Sequence, residues 1–342
     1  MASRQRTSRL RTSSLRTSRP RTRSVRASPL RRTLLAAFVA ASVALPVSGA
    51  VRPSAVPAPA PAALAPLEGA TPLALAERYA AQRDEIRAAE RSAAGHGDRR
   101  RAKALRAMAA PARSFLFFDG RDGGRSAEVF GDLSRAGRIA VLVPGSDTNL
   151  DSYGRFRAGA EALARELGGR SAVVAWLGYG TPSTVSPAVV TPSRGQEAAP
   201  ELRSFVRDLS QARPTARVSL VCHSYGSVVC ARAARTLEVT DVVLYGSPGV
   251  GYDHSADLRT PATVWAGRST GDWVAHVPHT QLELPFTAIG LGADPISPEF
   301  GARRFEAGGG GHSDYLKPGS VPLRNIARIV SGQTPSEGGR HA

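Results

Sequence analysis

The run Arg217-Val218-Ser219-Leu220-Val221-Cys222-His223-Ser224-Tyr225-Gly226-Ser227-Val228-Val229 constrains the fold more than any other stretch of the chain. It starts as a short apolar segment, the pattern of a buried parallel strand. It passes through Ser224 and goes straight into helix-like sequence from Gly226 to Leu237, where Val228, Val229, Ala231 and Ala234 can face a sheet. A serine on a sharp strand-to-helix turn has the form of a nucleophile elbow. That turn is strained, so the residues two before and two after the serine must be small. Gly226 meets the need, and Cys222 stands where glycine is usual. Such a turn exposes the Ser224 hydroxyl beyond the strand. It also aims the Tyr225 N–H and the helix N-terminus at an anion formed on attack. A plainer reading, Ser224 as the N-cap of a polar turn, stays open on this stretch alone.

The surrounding sequence alternates strand and helix patterns. Ser114 to Phe118 and Ala127 to Phe130 read as a hairpin across Gly120-Arg121-Asp122-Gly123-Gly124. Ile139 to Val143 reads as a buried strand running into Pro144-Gly145-Ser146-Asp147. A helix face follows at Tyr153, Phe156, Ala160, Leu163 and Leu167, ended by Gly168-Gly169. Further strands are expected at Ala172 to Leu177, Asp241 to Tyr245 and Thr263 to Ala266, with helices around Leu202 to Leu209 and Leu323 to Val330. This alternation predicts an α/β fold with a mostly parallel, doubly wound sheet. Ligands of such sheets bind beyond the carboxyl ends of the strands. Ser224, the Gly145-Ser146 loop, Gly178-Tyr179 and the segment after Ala266 all fall on that rim.

A serine hydroxyl needs a base to take its proton, and the base needs an orienting carboxylate. In this architecture the order is serine, acid, histidine. Asp241, Asp253, Asp257, Asp272 and Asp294 follow Ser224. Asp272, just beyond the strand ending at Ala266, is the preferred acid and Asp253 the second choice; Asp257 and Asp294 read as solvated loop residues. Among His254, His276, His279 and His312, the base is His312. It lies before the last helix, after Gly308-Gly309-Gly310-Gly311, whose freedom lets the imidazole swing over Ser224. His223, beside the nucleophile, is read as pointing elsewhere. His276 and His279 have ligand-like spacing but lack a third ligand cluster, so they are read as cleft-wall residues, and no metal or other cofactor is expected. The oxyanion donors are assigned to the Tyr225 and Ser146 amides, with the Ser146 hydroxyl as a third. The segment Tyr179 to Glu197, rich in Gly, Pro, Ser and Thr, is expected to cap the site, with Tyr179, Val189 and Val190 touching substrate. A solvated connection is the alternative.

The net charge of +17 does not signal nucleic-acid binding. Residues 1–32 hold eleven arginines and no acid, which leaves +6 on the rest of the chain without a basic stripe. Arg-Thr-Ser units repeat every five residues there, and such a segment builds no core. Arg31-Arg32, the uncharged stretch to Val51 and the small residues Ser48-Gly49-Ala50 read as a signal peptide over 1–50, with a signal anchor as the alternative. The long basic leader is expected to be absent from the cellular protein through a start at Val25, and Arg31-Arg32 before Leu34 and Leu35 also fits twin-arginine export. A Pro/Ala linker over 51–70, a helical hairpin over 71–112 packed on a catalytic domain of 113–332, and a tail of 333–342 complete the plan. Cys222 and Cys230 are the only cysteines, and the expectation is two buried thiols rather than a bridge.

With these residues assembled, the chain resembles the alpha/beta-hydrolase superfamily, and more closely a family of exported proteins of high-GC bacteria carrying a domain of unknown function. The resemblance runs from about Leu75 to Ile329. It rests on Val143-Pro144-Gly145, Trp176-Leu177-Gly178-Tyr179, His223-Ser224-Tyr225-Gly226, Gly246-Ser247-Pro248-Gly249, Gly271-Asp272-Trp273-Val274, Asp294-Pro295, Phe300-Gly301 and Gly311-His312-Ser313-Asp314-Tyr315. The Asp272-Trp273-Val274 segment and the later histidine are also similar to cutinases and lipases. The resemblance implies Ser224, Asp272 and His312 as a catalytic triad. The expected function is an exported serine hydrolase acting on small-molecule or lipid esters, in contact with the cell envelope. A serine peptidase or amidase, and a catalytically silent envelope-binding module, are the alternatives.

Overall fold

The structure, a computed structural model, describes residues 56–65, 67, 69–284 and 287–336. The signal peptide, the Val25 start, the first part of the linker and the end of the tail lie outside the described residues.

Eight strands form one sheet in the order β1-β2-β4-β3-β5-β6-β7-β10. β1 (Ser114–Asp119) and β2 (Arg125–Gly131) make the expected hairpin, and β2 runs antiparallel to β4 (Ser171–Leu177). β3 (Arg138–Val143), β4, β5 (Arg217–His223), β6 (Asp241–Tyr245), β7 (Thr263–Gly267) and the two-residue β10 (Arg303–Arg304) are all parallel. Every residue of β4 is buried, and so is β3 after Arg138, as strands covered on both faces require. β10 and a separate hairpin, β8 (Gln281–Leu284) with β9 (Thr287–Gly290), have no counterpart in the sequence reading. Both consist of pieces too short to show a period.

Helices cover the two faces. On one, α4 (Ser193–Ala212) and α5 (Gly226–Ala234) bury Leu202, Val206, Val228 and Val229 against Val141, Val174 and Leu220. On the other, α3 (Tyr153–Leu167) and α6 (Val321–Val330) bury Leu163, Ile326 and Ile329 against Leu142, Val173 and Val221. Each such side chain removed from water contributes about 1.5–3 kcal/mol. α4 begins at Ser193, so helix takes over the last part of the segment expected to be loop up to Glu197.

α1 (Pro72–Gly95) starts as the sequence requires, with the Thr71 hydroxyl accepting from the Ala74 amide at 3.2 Å and proline in the first turn. Gly97, at φ +86°, turns the chain, and Asp98 caps α2 (Arg99–Met108). The hairpin lays Ile86, Ala89 and Leu105 on Phe115, Phe118 and Tyr153. Arg101 fastens it. Its guanidinium, buried, meets both Asp151 oxygens at 2.7 and 2.8 Å and donates to the carbonyls of Gly120 and Asp122. The described part of the Pro/Ala segment also differs from a free tether. Ala58 packs beside the hairpin cluster, Arg78 donates to the Ala65 carbonyl, and the Ala70 amide donates to Ala212 at 3.1 Å.

Candidate active site

Ser224 joins β5 to α5 with φ +51°, one of four non-glycine residues in the left-handed region among the described residues. An L-residue reaches that region only when its surroundings force it. The neighbours show what does. A Cβ on Gly226 would stand 2.5 Å from the Pro144 carbonyl oxygen, and one on Gly145 would stand 2.6 Å from the Ser224 Cβ. The elbow and the loop after β3 therefore touch backbone to backbone. Cys222 is not a free thiol. It is bridged to Cys230 on α5, contrary to the expectation of two buried thiols. The position where glycine is usual thus ties the strand before the serine to the helix after it. The register that explains this, one turn into α5 facing back over β5, depends on the elbow's angle and is invisible in a spacing of eight residues.

His312 brings Nε2 to 2.9 Å from the Ser224 Oγ, and its Nδ1 lies 2.9 and 3.0 Å from the two Asp272 oxygens. The three expected residues therefore form one hydrogen-bonded line. Asp272 comes from the loop after β7 and His312 from the loop after β10, both at the carboxyl rim. The two loops are close because Gly271 has no side chain; a Cβ there would stand 2.8 Å from the Gly309 carbonyl oxygen. Asp272 is buried. Burial raises its pKa, but hydrogen bonds from His312, Tyr315 and the Val274 amide together outweigh it and hold the carboxyl below its usual range. Ser224 is itself 8% exposed.

Two residues around this line, Tyr315 and Trp273, are given no role in the sequence reading, and a third, His223, is read there as pointing elsewhere. Tyr315 donates to Asp272 Oδ2 at 2.6 Å and accepts from the Ser269 amide at 3.0 Å. His223, far from pointing elsewhere, puts Nε2 2.8 Å from the His312 carbonyl and its ring 4.7 Å from the His312 ring. Burial, followed by the proximity of His312, pushes the His223 imidazole down to about 3. Trp273 also lies against His312, with ring centroids 4.8 Å apart. Their signal in sequence is proximity alone: each lies within three residues of Ser224, Asp272 or His312.

The Tyr225 and Ser146 amides make no hydrogen bond within the described residues, and the buried Ser146 Oγ has no partner among them. Unpaired donors beside a serine hydroxyl are what an oxyanion site requires. Tyr179 does not reach toward the serine. Its ring is buried, stacked on Trp176, and its hydroxyl donates to the Pro144 carbonyl at 2.7 Å, so it supports the loop that carries Ser146.

The segment after Tyr179 is fastened at both ends. The Asp147 amide donates to Pro182, and the Asp147 carboxylate takes the Thr184 amide and hydroxyl. At the other end the Tyr225 hydroxyl donates to the Thr191 carbonyl at 2.7 Å and accepts from Gly195. Val189 packs partly on the core, Val190 is 43% exposed and Val185 stands almost free in solvent. A cleft of about 550 Å³ opens between this segment, the Asp147–Asn149 loop, the β1–β2 turn and the start of α4, and Ser224 is not among its lining residues.

The remaining candidates have other partners. Asp241 sits at the start of β6, the opposite end of the sheet, and accepts from Ser219 and Trp265. Asp253 and Asp257 accept backbone amides of Ala293 and His254. Asp294 is not a solvated loop residue: it pairs with Arg268 at 2.7 Å, partly buried. His254 bonds the Glu299 carbonyl and His279 the Pro248 carbonyl, while His276 is exposed. Among the described residues no three His, Cys, Asp or Glu side chains gather as a metal site.

Residues 119–282 match a family model described as alpha/beta hydrolase. The chain is 31% identical to the uncharacterized protein Rv0963c of Mycobacterium tuberculosis over 186 residues, 48% of this chain and 70% of that one. It is 29% identical over 246 residues to the uncharacterized protein Rv2079 of the same organism, covering 61% of this chain and 37% of the relative's length. Among solved structures it is similar to an a/b serine hydrolase without lid from Xanthomonas campestris, with 19% identity, TM-score 0.43, and 65% of this chain and 95% of that chain covered. It is also similar to the esterase LipW from Mycobacterium marinum, with 14% identity, TM-score 0.41, and coverages of 73% and 88%.

Proposed function

The chain belongs to the alpha/beta-hydrolase family, and from that premise we propose that it is an exported serine hydrolase that cleaves carboxylic esters through an acyl-enzyme. The observation that carries the reading is the continuous line from the Ser224 Oγ through both nitrogens of His312 to Asp272. His312 Nε2 takes the Ser224 proton as Oγ attacks the ester carbon. Asp272 holds the imidazole in the tautomer with Nδ1–H and faces the imidazolium as it forms. The carbonyl oxygen, now negative, receives the Tyr225 and Ser146 amides, and the Ser146 hydroxyl joins them. One such donor contributes about 2.7–4 kcal/mol to the transition state. The ester C–O bond then breaks, His312 returns the proton to the departing alcohol, and water releases the acid by the same steps in reverse order.

Export rests on the pattern of residues 1–50 and gains support from the Cys222–Cys230 bridge, since disulfides persist in oxidising compartments. The ester reading is tested with a fluorophosphonate probe and p-nitrophenyl esters. Labelling at Ser224 and turnover are expected in the wild type and neither in Ser224→Ala. Wild-type turnover in that variant, or no labelling and no turnover in the native chain, would refute it.

A further inference from the structure

Two aromatic rings lie within 5 Å of the His312 imidazole, and they differ in one respect. His223, at 4.7 Å, faces inward among Tyr245 and Tyr315, whereas Trp273, at 4.8 Å, is 51% exposed. The other aromatic side chains of this rim, Tyr225, Tyr245 and Tyr315, are buried. An indole left half in water beside a reactive nitrogen presents an apolar surface with nothing on it.

That surface is held in place. Trp273 opens a short 3-10 turn capped by Asp272, whose Oδ1 accepts the Val274 amide at 2.9 Å. The acid that orients His312 therefore also fixes the backbone of the tryptophan beside it. The loop that carries His312 has no side chains at residues 308–311, which are all glycine.

The position has a chemical consequence that depends on the serine-hydrolase reading above. The oxygen that departs must lie within hydrogen-bond reach of His312 Nε2, which protonates it. The group attached to that oxygen consequently passes the imidazole edge, within reach of the Trp273 ring 4.8 Å from it. The acyl group is bonded to the carbon between Ser224 and the oxyanion donors Ser146 and Tyr225, and leaves the centre in another direction. We propose that Trp273 is a specificity-determining residue that binds the alcohol portion of the ester, so that the enzyme selects esters of flat, apolar alcohols.

The test crosses two substrate series on the full chain. One holds the acyl group as acetyl and compares benzyl with methyl alcohol; the other holds the alcohol as p-nitrophenol and compares an eight-carbon with a two-carbon acyl group. In Trp273→Ala the benzyl-to-methyl ratio of kcat/KM should fall about fivefold, the size of one lost aromatic contact, while the acyl ratio keeps its wild-type value. Trp273→Phe should recover most of the benzyl preference. An unchanged benzyl-to-methyl ratio in Trp273→Ala would overturn the proposal. So would an equal loss on all four esters, which would make Trp273 only a prop for His312. Fluorophosphonate labelling of wild-type Ser224, which releases fluoride and no alcohol, reports on the underlying hydrolase reading separately.

Discussion

His223 Nε2 lies 2.8 Å from the carbonyl oxygen of His312, and because a carbonyl accepts, the proton of the His223 ring is on that nitrogen. The residue before Ser224 thereby holds the backbone of His312. His223 stays neutral in the folded chain because burial, and then His312, push its pKa down to about 3. In the unfolded chain an imidazole titrates near 6.5. The unfolded state thus binds more protons between those values, and the stability this group confers is complete above about 6.5 and lost as pH falls toward 3. The thermal midpoint of the wild type should drop over that window. His223→Gln, which retains an amide donor but does not titrate, should show a shallower drop in the same buffers. Identical slopes for the two proteins would rule out this role for His223.

Tyr315 connects Asp272 to the Ser269 amide, so Tyr315→Phe leaves a buried carboxylate and a buried N–H each short of a partner. A hydrogen bond to a charged group contributes about 1.5–3 kcal/mol, and denaturant unfolding should show a loss of that order. The Asp272 carboxyl would also rise from its lowered value. Its contribution to stability, present above the unfolded carboxylate pKa and lost as pH falls through the folded one, would then be smaller and completely lost at a higher pH. Turnover should fall about tenfold, since 1.4 kcal/mol of lost orientation is a factor of ten. Wild-type stability and turnover in Tyr315→Phe would contradict the assignment.

Much of the fold could be read from the sequence because its signals are local. β3 and β4 are unbroken apolar runs, α3 shows its face at Tyr153, Phe156, Ala160 and Leu163, and Thr71-Pro72 announces α1. Ser224, Asp272 and His312 were legible because strand ends in a parallel sheet share a rim, so three separate loops could be placed together before any distance was known. What escaped depends on direction across space. No pattern in sequence turns the His223 ring toward His312, sends the Tyr179 hydroxyl to Pro144, or pairs Asp294 with Arg268. The bridge between Cys222 and Cys230 escaped for the same reason, because it needs the helix after Ser224 to fold back over β5.

That bridge closes a short loop around Ser224, with eight residues of separation. The chain-entropy estimate for so short a loop is about 2.5 kcal/mol. Cys222→Ala with Cys230→Ala should lower the free energy of unfolding by an amount of that order, read by guanidinium denaturation without reductant. Because both sulfurs are buried, reductant added to the native protein should act slowly and only through opening of the fold. Equal stability of the double variant and wild type would show that the bridge does not support the elbow.

The segment between Tyr179 and Ser193 is expected to contact the acyl group, and its two adjacent valines are no longer equivalent. Val189 packs partly on the core, so replacing it would change stability as well as any substrate contact. Val190 is 43% exposed, and the residue after it is held by the Tyr225 hydroxyl, whose own amide is an oxyanion donor in the proposed mechanism. Val190 is therefore the clean probe. Val190→Ser removes apolar surface at a fixed distance along the chain from Tyr225 and leaves the alcohol side, where Trp273 stands, untouched. A buried methylene contributes about 0.8 kcal/mol, so losing a real contact should reduce the preference for an eight-carbon over a two-carbon acyl group about three- to fivefold. The benzyl-to-methyl ratio for the alcohol should stay at its wild-type value. The measurement is kcat/KM on the same four esters used for Trp273. If the acyl ratio does not move while turnover persists, the segment is a connection between β4 and α4 and not a cap.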